Sequence, residues 1–208
     1  MSSSSPSSSK QEDRFTTARN ELYQSHSLDP NTHTLPSGST QPYETHYAEK
    51  MESFLSQRSP SASEVLRLAI IGQHFRRWEV PRSSYPDGKP GYLRWRSDLK
   101  KRQAAQVGGI LMSSGYDSDE TDRCRALIEK EGLKKAEEDE EVQVLEDVAC
   151  LVFLDDQFEE FKEKHDEEKM VGILKKTWGK MSERGRELAM GLPMTDEARA
   201  LVGKALEG

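Results

Sequence analysis

Apolar residues in this chain recur at helical spacing, and no segment alternates apolar and polar residues over a useful length. In the segment that begins at Tyr43, for example, the positions i, i+4, i+7 and i+8 are occupied by Tyr47, Met51, Phe54 and Leu55. Residues at that spacing share one face of an α-helix, whereas a half-buried strand requires a period of two. The pattern therefore predicts an all-α fold.

About seven helices are expected in a single compact domain of residues 41–208. They are predicted to begin near Tyr43, Ser61, Gly91, Ser118, Asp139, Asp166 and Thr195. Residues 1–40 are rich in Ser, Pro, Thr and Asn and carry few apolar residues. Because such a segment buries too little surface to offset the entropy of ordering, residues 1–40 are predicted to be a disordered tail.

The charge of the chain is unevenly distributed. The net charge is -7, yet the segment from Arg76 to Arg102 contains nine Lys or Arg and three Asp or Glu, a local charge of +6. A basic patch of this kind is typical of proteins that contact a polyanion. The N-terminal residues lack the apolar core of a signal peptide, and no stretch approaches the length of a membrane span. A cytoplasmic protein without a membrane partner is therefore expected.

A cluster of carboxylates follows a run of apolar residues in CLVFLDDQFEEF, residues 150–161. On a regular helix, Asp156 and Glu159 continue the apolar stripe of Val152, and Asp155 lies one turn before Glu159. Crowded carboxylates repel one another, so the pKa of at least one of them rises unless a cation enters. The cluster therefore predicts a bound positive charge. The candidates are a Lys or Arg of the protein, Mg²⁺, or the guanidinium of a bound arginine.

A metal is not expected at this cluster. DDxxE-type motifs on helices resemble the magnesium motifs of terpene synthases, but this chain is short for that fold and has no second motif of the Asn, Ser and Glu type. A second metal hypothesis combines His74 with His46, Glu146 and Asp147, which loosely resemble the ligands of HD phosphohydrolases. The His-Asp doublet is missing, however, because Phe75 follows His74. His74 is instead expected to support its loop by hydrogen bonds, and no cofactor is predicted.

Cations and aromatic rings are interleaved in RRWEVPRSSYPDGKPGYLRWR, residues 76–96. Cations neutralise phosphates, and rings stack on unpaired bases, which is how single-stranded RNA ends are usually held. Alternatively, Trp78 and Trp95 are core anchors within a solvated rim. The residues predicted to bind RNA are Arg76, Arg77, Arg82, Arg94, Arg96 and Lys176. No DNA partner is expected.

The sequence offers only weak candidates for a catalytic nucleophile. The two cysteines, Cys124 and Cys150, both lie in helical segments with apolar periodicity, so neither a disulfide nor a cysteine-based zinc site is expected. Cys150 is predicted to be packed in the core, where a thiol is inert. Ser182 lies beside lysines, but no neighbouring base can be assigned to it from the sequence.

Four longer stretches carry a resemblance to a known family. In order from residue 73 to residue 185, they are QHFRRWEVPRSSYP, GYLRWR, LEDVACLVFL and KTWGKMSERG. Together they resemble a little-characterised helical family that is widespread in fungi, and the resemblance covers roughly residues 40–206. Within that family, the DDxxE signature at Asp155, Asp156 and Glu159 resembles the fungal arginine-containing cyclodipeptide synthases.

The resemblance implies an enzyme of secondary metabolism. Such an enzyme takes arginyl-tRNA and a second aminoacyl-tRNA, makes a cyclo(arginine-Xaa) diketopiperazine and releases both tRNAs. Only Asp155, Asp156 and Glu159 carry over as catalytic residues. Two alternatives remain open: a non-catalytic RNA-binding protein in which the acidic cluster is structural, and an HD-like metal-dependent phosphohydrolase.

Overall fold

The computed structural model describes residues 6–130 and 139–206, which form an all-α protein with one short hairpin. The contacts within the chain divide it into two compact units. Unit 1 consists of Met1–Glu52 and Ala62–Glu131, and unit 2 consists of Ser53–Ser61 and Gly132–Gly208. That residues 41–208 act as one catalytic domain stays a prediction.

Unit 1 contains five helices and the hairpin. Its elements are α1 (Pro6–His26), β1 (Thr32–Thr34), β2 (Thr40–Pro42), α2 (Tyr43–Arg58), α3 (Glu64–Ile71), α4 (Gly88–Ser113) and α5 (Ser118–Glu129), and α2 continues into unit 2. The two strands are antiparallel, with His33 opposite Gln41. The fully buried side chains include Leu22, Met51, Leu68, Leu111 and Leu127. Two 3-10 turns, Arg77–Glu79 and Arg82–Ser84, lie in the irregular segment before α4.

Residues 6–26, which lie within the predicted disordered tail, form helix α1. Ala18, Leu22 and His26 follow one another at intervals of four residues, and all three are fully buried. One turn before Ala18 in the same helix, the guanidinium of Arg14 donates to both carboxylate oxygens of Glu120, at 2.7 and 2.9 Å. The prediction of disorder was wrong for this helix. The few apolar residues that α1 buries, and its ion pairs, have little effect on the average composition of residues 1–40, which is polar. Residues 1–5 lie outside the described residues.

Unit 2 contains the remaining helices. They are α6 (Glu140–Val152), α7 (Phe158–Lys164), α8 (Glu167–Lys180), α9 (Glu183–Met190) and α10 (Asp196–Leu206), with a π-helical turn, Phe153–Gln157, between α6 and α7. Its buried core includes Leu145, Val148, Leu151, Met170 and Leu174. The described residues thus form ten α-helices where about seven were expected, because α1 was missed and two of the predicted helices are each divided in two.

The two divisions have different local causes. The helix predicted to run from Asp166 to Met190 ends at Lys180, because Ser182 caps a new helix and its hydroxyl accepts a hydrogen bond from the Gly185 amide at 3.0 Å. The helix predicted for residues 139–165 is interrupted by the π-helical turn. In a π turn the hydrogen bonds run from i to i+5, which accommodates about one extra residue. The residues that follow are therefore rotated away from the predicted stripe.

Both cysteines are free and buried, as predicted. Burial raises the pKa of the Cys124 thiol to about 12. No helix among the described residues combines the length and the apolarity that crossing a membrane requires.

Candidate functional site

The predicted acidic cluster lies on the π-helical turn of unit 2 and on the first turn of α7. Asp155 and Asp156 belong to the π turn and are half-buried, and the nearest apolar side chains on either side in the sequence, Leu154 and Phe158, are buried. π turns inside helices are frequent at functional sites because the extra residue changes the direction of side chains. Two carboxylates are thus held at the edge of an apolar core with part of their surface open to solvent.

Glu159 is exposed, whereas the two aspartates are half-buried. Its Oε2 lies 2.6 Å from Nζ of Lys162, and its Oε1 accepts a hydrogen bond from the Thr195 hydroxyl at 2.9 Å. Lys162 also lies 2.9 Å from Glu197. The hydrogen bond from Lys162, and then that from Thr195, lowers the pKa of Glu159. Crowding therefore does not raise the pKa of Glu159, and the cation beside this carboxylate is a lysine of the protein, one of the three predicted candidates.

Glu146 and Asp147, the two acids of the phosphohydrolase hypothesis, each form an ion pair with a basic residue of unit 2. Asp147 is fully buried and lies 2.7 Å from Nε of Arg58, and the buried Glu146 lies 3.1 Å from Nζ of Lys180. A carboxylate that is ion-paired at this distance is satisfied without a metal. The arrangement gives Glu146 and Asp147 a structural role.

Ser182, the weak candidate for a nucleophile, takes part in the same network. Its hydroxyl donates to Asp147 Oδ2, and its amide donates to Oδ1 at 2.8 Å. The hydroxyl also accepts the amide of Gly185, as the cap of α9 requires. These contacts assign the Ser182 hydroxyl to helix capping.

The basic, aromatic segment of unit 1 divides into buried and exposed parts. Trp95 is buried, and its indole N–H donates to the Val80 carbonyl at 2.9 Å. Arg77 lies over the Trp95 ring at 4.7 Å, and one of its N–H groups donates to Nε2 of His74 at 2.9 Å. Burial lowers the pKa of Arg77. Trp95 is thus a core anchor, as one alternative predicted, and it supports a cation on its face.

Two of the predicted RNA-binding arginines stabilise the loop itself. Arg82 donates to the carbonyls of Tyr85 and Pro86, at 2.9 and 2.8 Å. Arg76 has a left-handed backbone with φ of 48°, its amide donates to the buried carboxylate of Glu44 at 3.0 Å, and its guanidinium lies 3.6 Å from Glu79. A structural role explains both guanidinium groups.

The other predicted cations are exposed. Arg94 is paired with Asp98 at 3.7 Å, and Arg96 donates to the hydroxyl of Tyr92 at 3.3 Å, both on α4. Lys176 is exposed on α8, in unit 2. The structure therefore brings Arg77 and Arg96 together with Tyr92 and Trp95 in unit 1, and it places Lys176 and the acidic cluster in the other unit.

Sequence reasoning missed the partners that reach this part of unit 1 from other segments. Lys130 follows α5, and its positive charge, like those of Arg77 and Arg96, acts on His74. The His74 ring stacks on Tyr47 of α2 at 4.0 Å, and the phenol groups of Tyr47 and Tyr43 lie near Arg77. His74 supports its loop as predicted. No signal in the segment around residue 76 indicates neighbours that are more than 25 residues away in the sequence.

A comparison with protein families assigns the chain. Residues 16–202 match the family described as "Domain of unknown function (DUF4202)". The chain belongs to this family. No curated protein and no solved structure matches the chain. The match spans both units and includes the C-terminal half of α1, and the family description names no activity.

Proposed function

We propose that this DUF4202 protein is a cytoplasmic, tRNA-dependent cyclodipeptide synthase that joins arginine to a second amino acid. The observation that carries the proposal is the pair of half-buried aspartates on the π turn, Asp155 and Asp156. Carboxylates at the edge of an apolar core suit the planar donor fork of a guanidinium, which binds them two at a time. The type of reaction is inferred from the resemblance of the DDxxE signature to that of arginine-containing cyclodipeptide synthases.

The reaction needs little more than orientation and one base. The ester of an aminoacyl-tRNA is already activated, so neither ATP nor a cofactor is required. The α-ammonium group has a pKa of about 8, so a modest base frees the amine for attack on the second ester. An amide bond forms, and the ribose hydroxyl of the second tRNA, whose ester was attacked, leaves with the proton. Attack by the remaining amine on the ester of the first tRNA closes the ring and releases the first tRNA.

We propose different roles for the three acids. Because Lys162 and Thr195 lower the pKa of Glu159, this carboxylate is a weak base. We therefore assign the proton transfer to one of the two aspartates and recognition of the arginine side chain to the other. Ring closure requires a cis peptide bond, which costs roughly 2.5 to 4 kcal/mol for a non-proline residue. Fixing the guanidinium while the amine folds back onto the ester would supply the orientation for that step.

Mass spectrometry of small molecules from cells that express the protein tests this proposal. We expect wild-type cells to accumulate an arginine-containing cyclic dipeptide, and Asp155→Asn or Asp156→Asn to reduce it by roughly 100-fold or more. The matched control is Glu160→Gln. Glu160 is an exposed neighbour of the motif that is paired with Lys164, so its loss should leave the product unchanged. Soluble protein levels are matched among all variants.

Two results would contradict the synthase. The first is a well-folded wild-type protein that yields no cyclic dipeptide, and the second is an undiminished yield from both aspartate variants. A protein that binds tRNA without forming product would favour the non-catalytic RNA-binding alternative. That alternative is supported by Lys162, which neutralises Glu159 and gives at least one of the three acids a structural partner.

A further inference from the structure

Arg77 is a partly buried cation that has no acidic partner within residues 6–130 and 139–206. Its guanidinium is flanked by the Trp95 ring at 4.7 Å and by Nε2 of His74 at 2.9 Å. Among the residues that the structure describes, no carboxylate forms an ion pair with Arg77 or with Arg96. Buried charges in proteins are nearly always paired. The unpaired guanidinium therefore indicates that an anion from outside the chain belongs beside it.

The groups around Arg77 add positive charge to it. The positive charges of Arg77, Lys130 and Arg96 all act on the His74 ring. Since an arginine can only donate, Nε2 of His74 must accept the hydrogen bond from Arg77, and the neutral ring carries its hydrogen on Nδ1. Burial, and then these cations, lower the pKa of His74 well below its ordinary value. Three cations and a neutral imidazole thus share one region of unit 1.

Phenol groups complete the surroundings of this cationic cluster, which we define as Arg77, Arg96, Lys130 and His74. The phenol groups of Tyr47, Tyr43 and Tyr92 lie near the Arg77 guanidinium. Tyr92 and Arg96 are exposed, so the cluster is open to solvent on the side of α4. Phenol hydroxyls and guanidinium groups are hydrogen-bond donors that suit a phosphate oxygen.

The backbone that positions Arg77 has an unusual conformation. His74 and Arg76 are both left-handed, with φ of 62° and 48°, although neither is a glycine. The buried carboxylate of Glu44 holds this turn, because it accepts the amides of Arg76 and Arg77 at 3.0 and 2.7 Å. Unfavourable backbone conformations that the surrounding structure enforces are concentrated at functional sites.

A basic groove on the surface adjoins the cluster. Arg96 lines a groove of about 340 Å³ together with Lys100, Lys101, Ser97 and Leu93 of α4 and Glu129 at the end of α5. Lys130, a member of the cluster, is the residue that follows Glu129. Lysines at this spacing offer further contacts to a chain of phosphates.

We propose that the cationic cluster binds a phosphate group of an RNA strand, with Arg77 and Arg96 as its principal donors, and that neighbouring phosphates follow the groove to Lys100 and Lys101. The RNA would be the acceptor end of the aminoacyl-tRNA, and this part of the assignment rests on the proposed function. Phosphate binding by the cluster does not depend on it.

Binding measurements with the full-length protein test the site. The probes are inorganic phosphate, a nucleoside monophosphate, and a single-stranded RNA of about ten nucleotides that ends in CCA. Arg96→Gln is the test variant, because Arg96 is exposed and, among the described residues, its side chain donates to the Tyr92 hydroxyl alone, so the fold should survive. Arg102→Gln is the control, because it removes the same charge from the same helix, but its guanidinium is paired with Glu79.

We expect Arg96→Gln to weaken RNA binding by about fivefold or more, and Arg102→Gln to change it by less than about twofold. Inorganic phosphate should compete with the RNA. It should also raise the pKa of the His74 ring in an NMR titration, because a bound anion stabilises the charged imidazole. Equal effects of the two substitutions, together with an unmoved His74 resonance, would overturn the site.

The remaining outcomes separate this inference from the proposed function. If phosphate and the nucleotide bind at the cluster but the RNA does not, the RNA assignment is overturned. If the RNA binds there and wild-type cells make no cyclic dipeptide, the inference stands and the synthase proposal fails. If Arg96→Gln leaves both RNA binding and product formation unchanged, the inference fails while the synthase proposal stands.

Discussion

At the scale of single residues, Asp147 shows how a buried charge is stabilised by its surroundings. Its carboxylate is inaccessible to solvent and accepts hydrogen bonds from Arg58 at 2.7 Å, from Gln143 at 3.0 Å and from both the amide and the hydroxyl of Ser182. An ionised carboxylate is tolerated in such a position only when it is paired and fully hydrogen-bonded. The residue therefore connects α2, α6 and the start of α9 within unit 2.

Replacing Asp147 by Asn should destabilise unit 2 strongly. The substitution leaves the largely buried guanidinium of Arg58 without its charge partner, a change that costs roughly 3 to 5 kcal/mol in other proteins. Urea unfolding monitored by circular dichroism measures the loss. Glu187→Gln is the control, since its ion pair with Arg184 is exposed and should contribute less than about 1 kcal/mol. Similar losses for both variants would contradict the structural role of Asp147.

His74 should make the stability of unit 1 depend on pH. Burial and the neighbouring cations lower the pKa of His74 in the folded protein, whereas in the unfolded chain the ring takes up a proton below about pH 6.5. The unfolded state then binds more protons, so the free energy of unfolding falls as the pH decreases from about 6.5 toward the folded pKa.

The substitution His74→Asn isolates this effect. Asn tolerates the left-handed backbone that His74 adopts, and it does not titrate. We expect the unfolding free energy of the wild type to decrease more between pH 7.5 and pH 5.5 than that of the variant. Urea titrations at the two pH values check it, and parallel decreases in both proteins would show that His74 is not the group responsible.

At the scale of elements, the sequence predicted helices well and their interruptions badly. The spacing of Leu145, Ala149, Val152, Asp156 and Glu159 fits one continuous helix, because hydrophobic periodicity reports the faces of a helix on either side of an irregularity. It does not report the extra residue that a π turn accommodates. The three acids were therefore identified as a cluster. The sequence did not show that Glu159 has a different environment, because its contacts with Lys162 and Thr195 depend on how α7 is oriented.

The basic segment shows the same limit. Its cations and rings were recognised from composition, yet composition does not separate Arg82, which binds backbone carbonyls, from Arg96, which is exposed. That difference depends on the path of the loop. It also depends on Glu44, which holds the turn at Arg76 from a helix far away in the sequence.

Replacing one glycine of α9 and one of α8 by alanine should change the free energy of unfolding in opposite directions. An added methyl at Gly185 would lie 2.5 Å from Asp147 Oδ1, whereas nothing lies within 4 Å of the same position at Gly172. Gly185→Ala should therefore destabilise the protein by about 1 to 3 kcal/mol. Gly172→Ala should stabilise it by about 0.5 to 1 kcal/mol, because alanine is the better helix former. Urea midpoints measure both, and stabilisation by Gly185→Ala would contradict the contact between α9 and Asp147.

At the scale of the whole molecule, the net charge of -7 conceals an opposite local charge. A protein that is acidic overall repels a polyanion at long range, so RNA must be held by short-range contacts to a concentrated basic surface. Unit 1 provides that surface through the cationic cluster and the groove with Lys100 and Lys101. The number of phosphates it neutralises is therefore small and can be measured.

The salt dependence of RNA binding counts these contacts. If three or four phosphates are neutralised, log K should fall against log salt with a slope of roughly -2 to -3 for a single strand. This slope corresponds to a loss of about 15-fold to 60-fold between 50 and 200 mM salt. The double variant Lys100→Gln, Lys101→Gln should reduce the slope by about one to two, because each lost contact leaves one set of counterions in place. Fluorescence anisotropy with labelled RNA gives both slopes. A slope that is the same in the variant and the wild type would show that the strand does not follow the groove on α4.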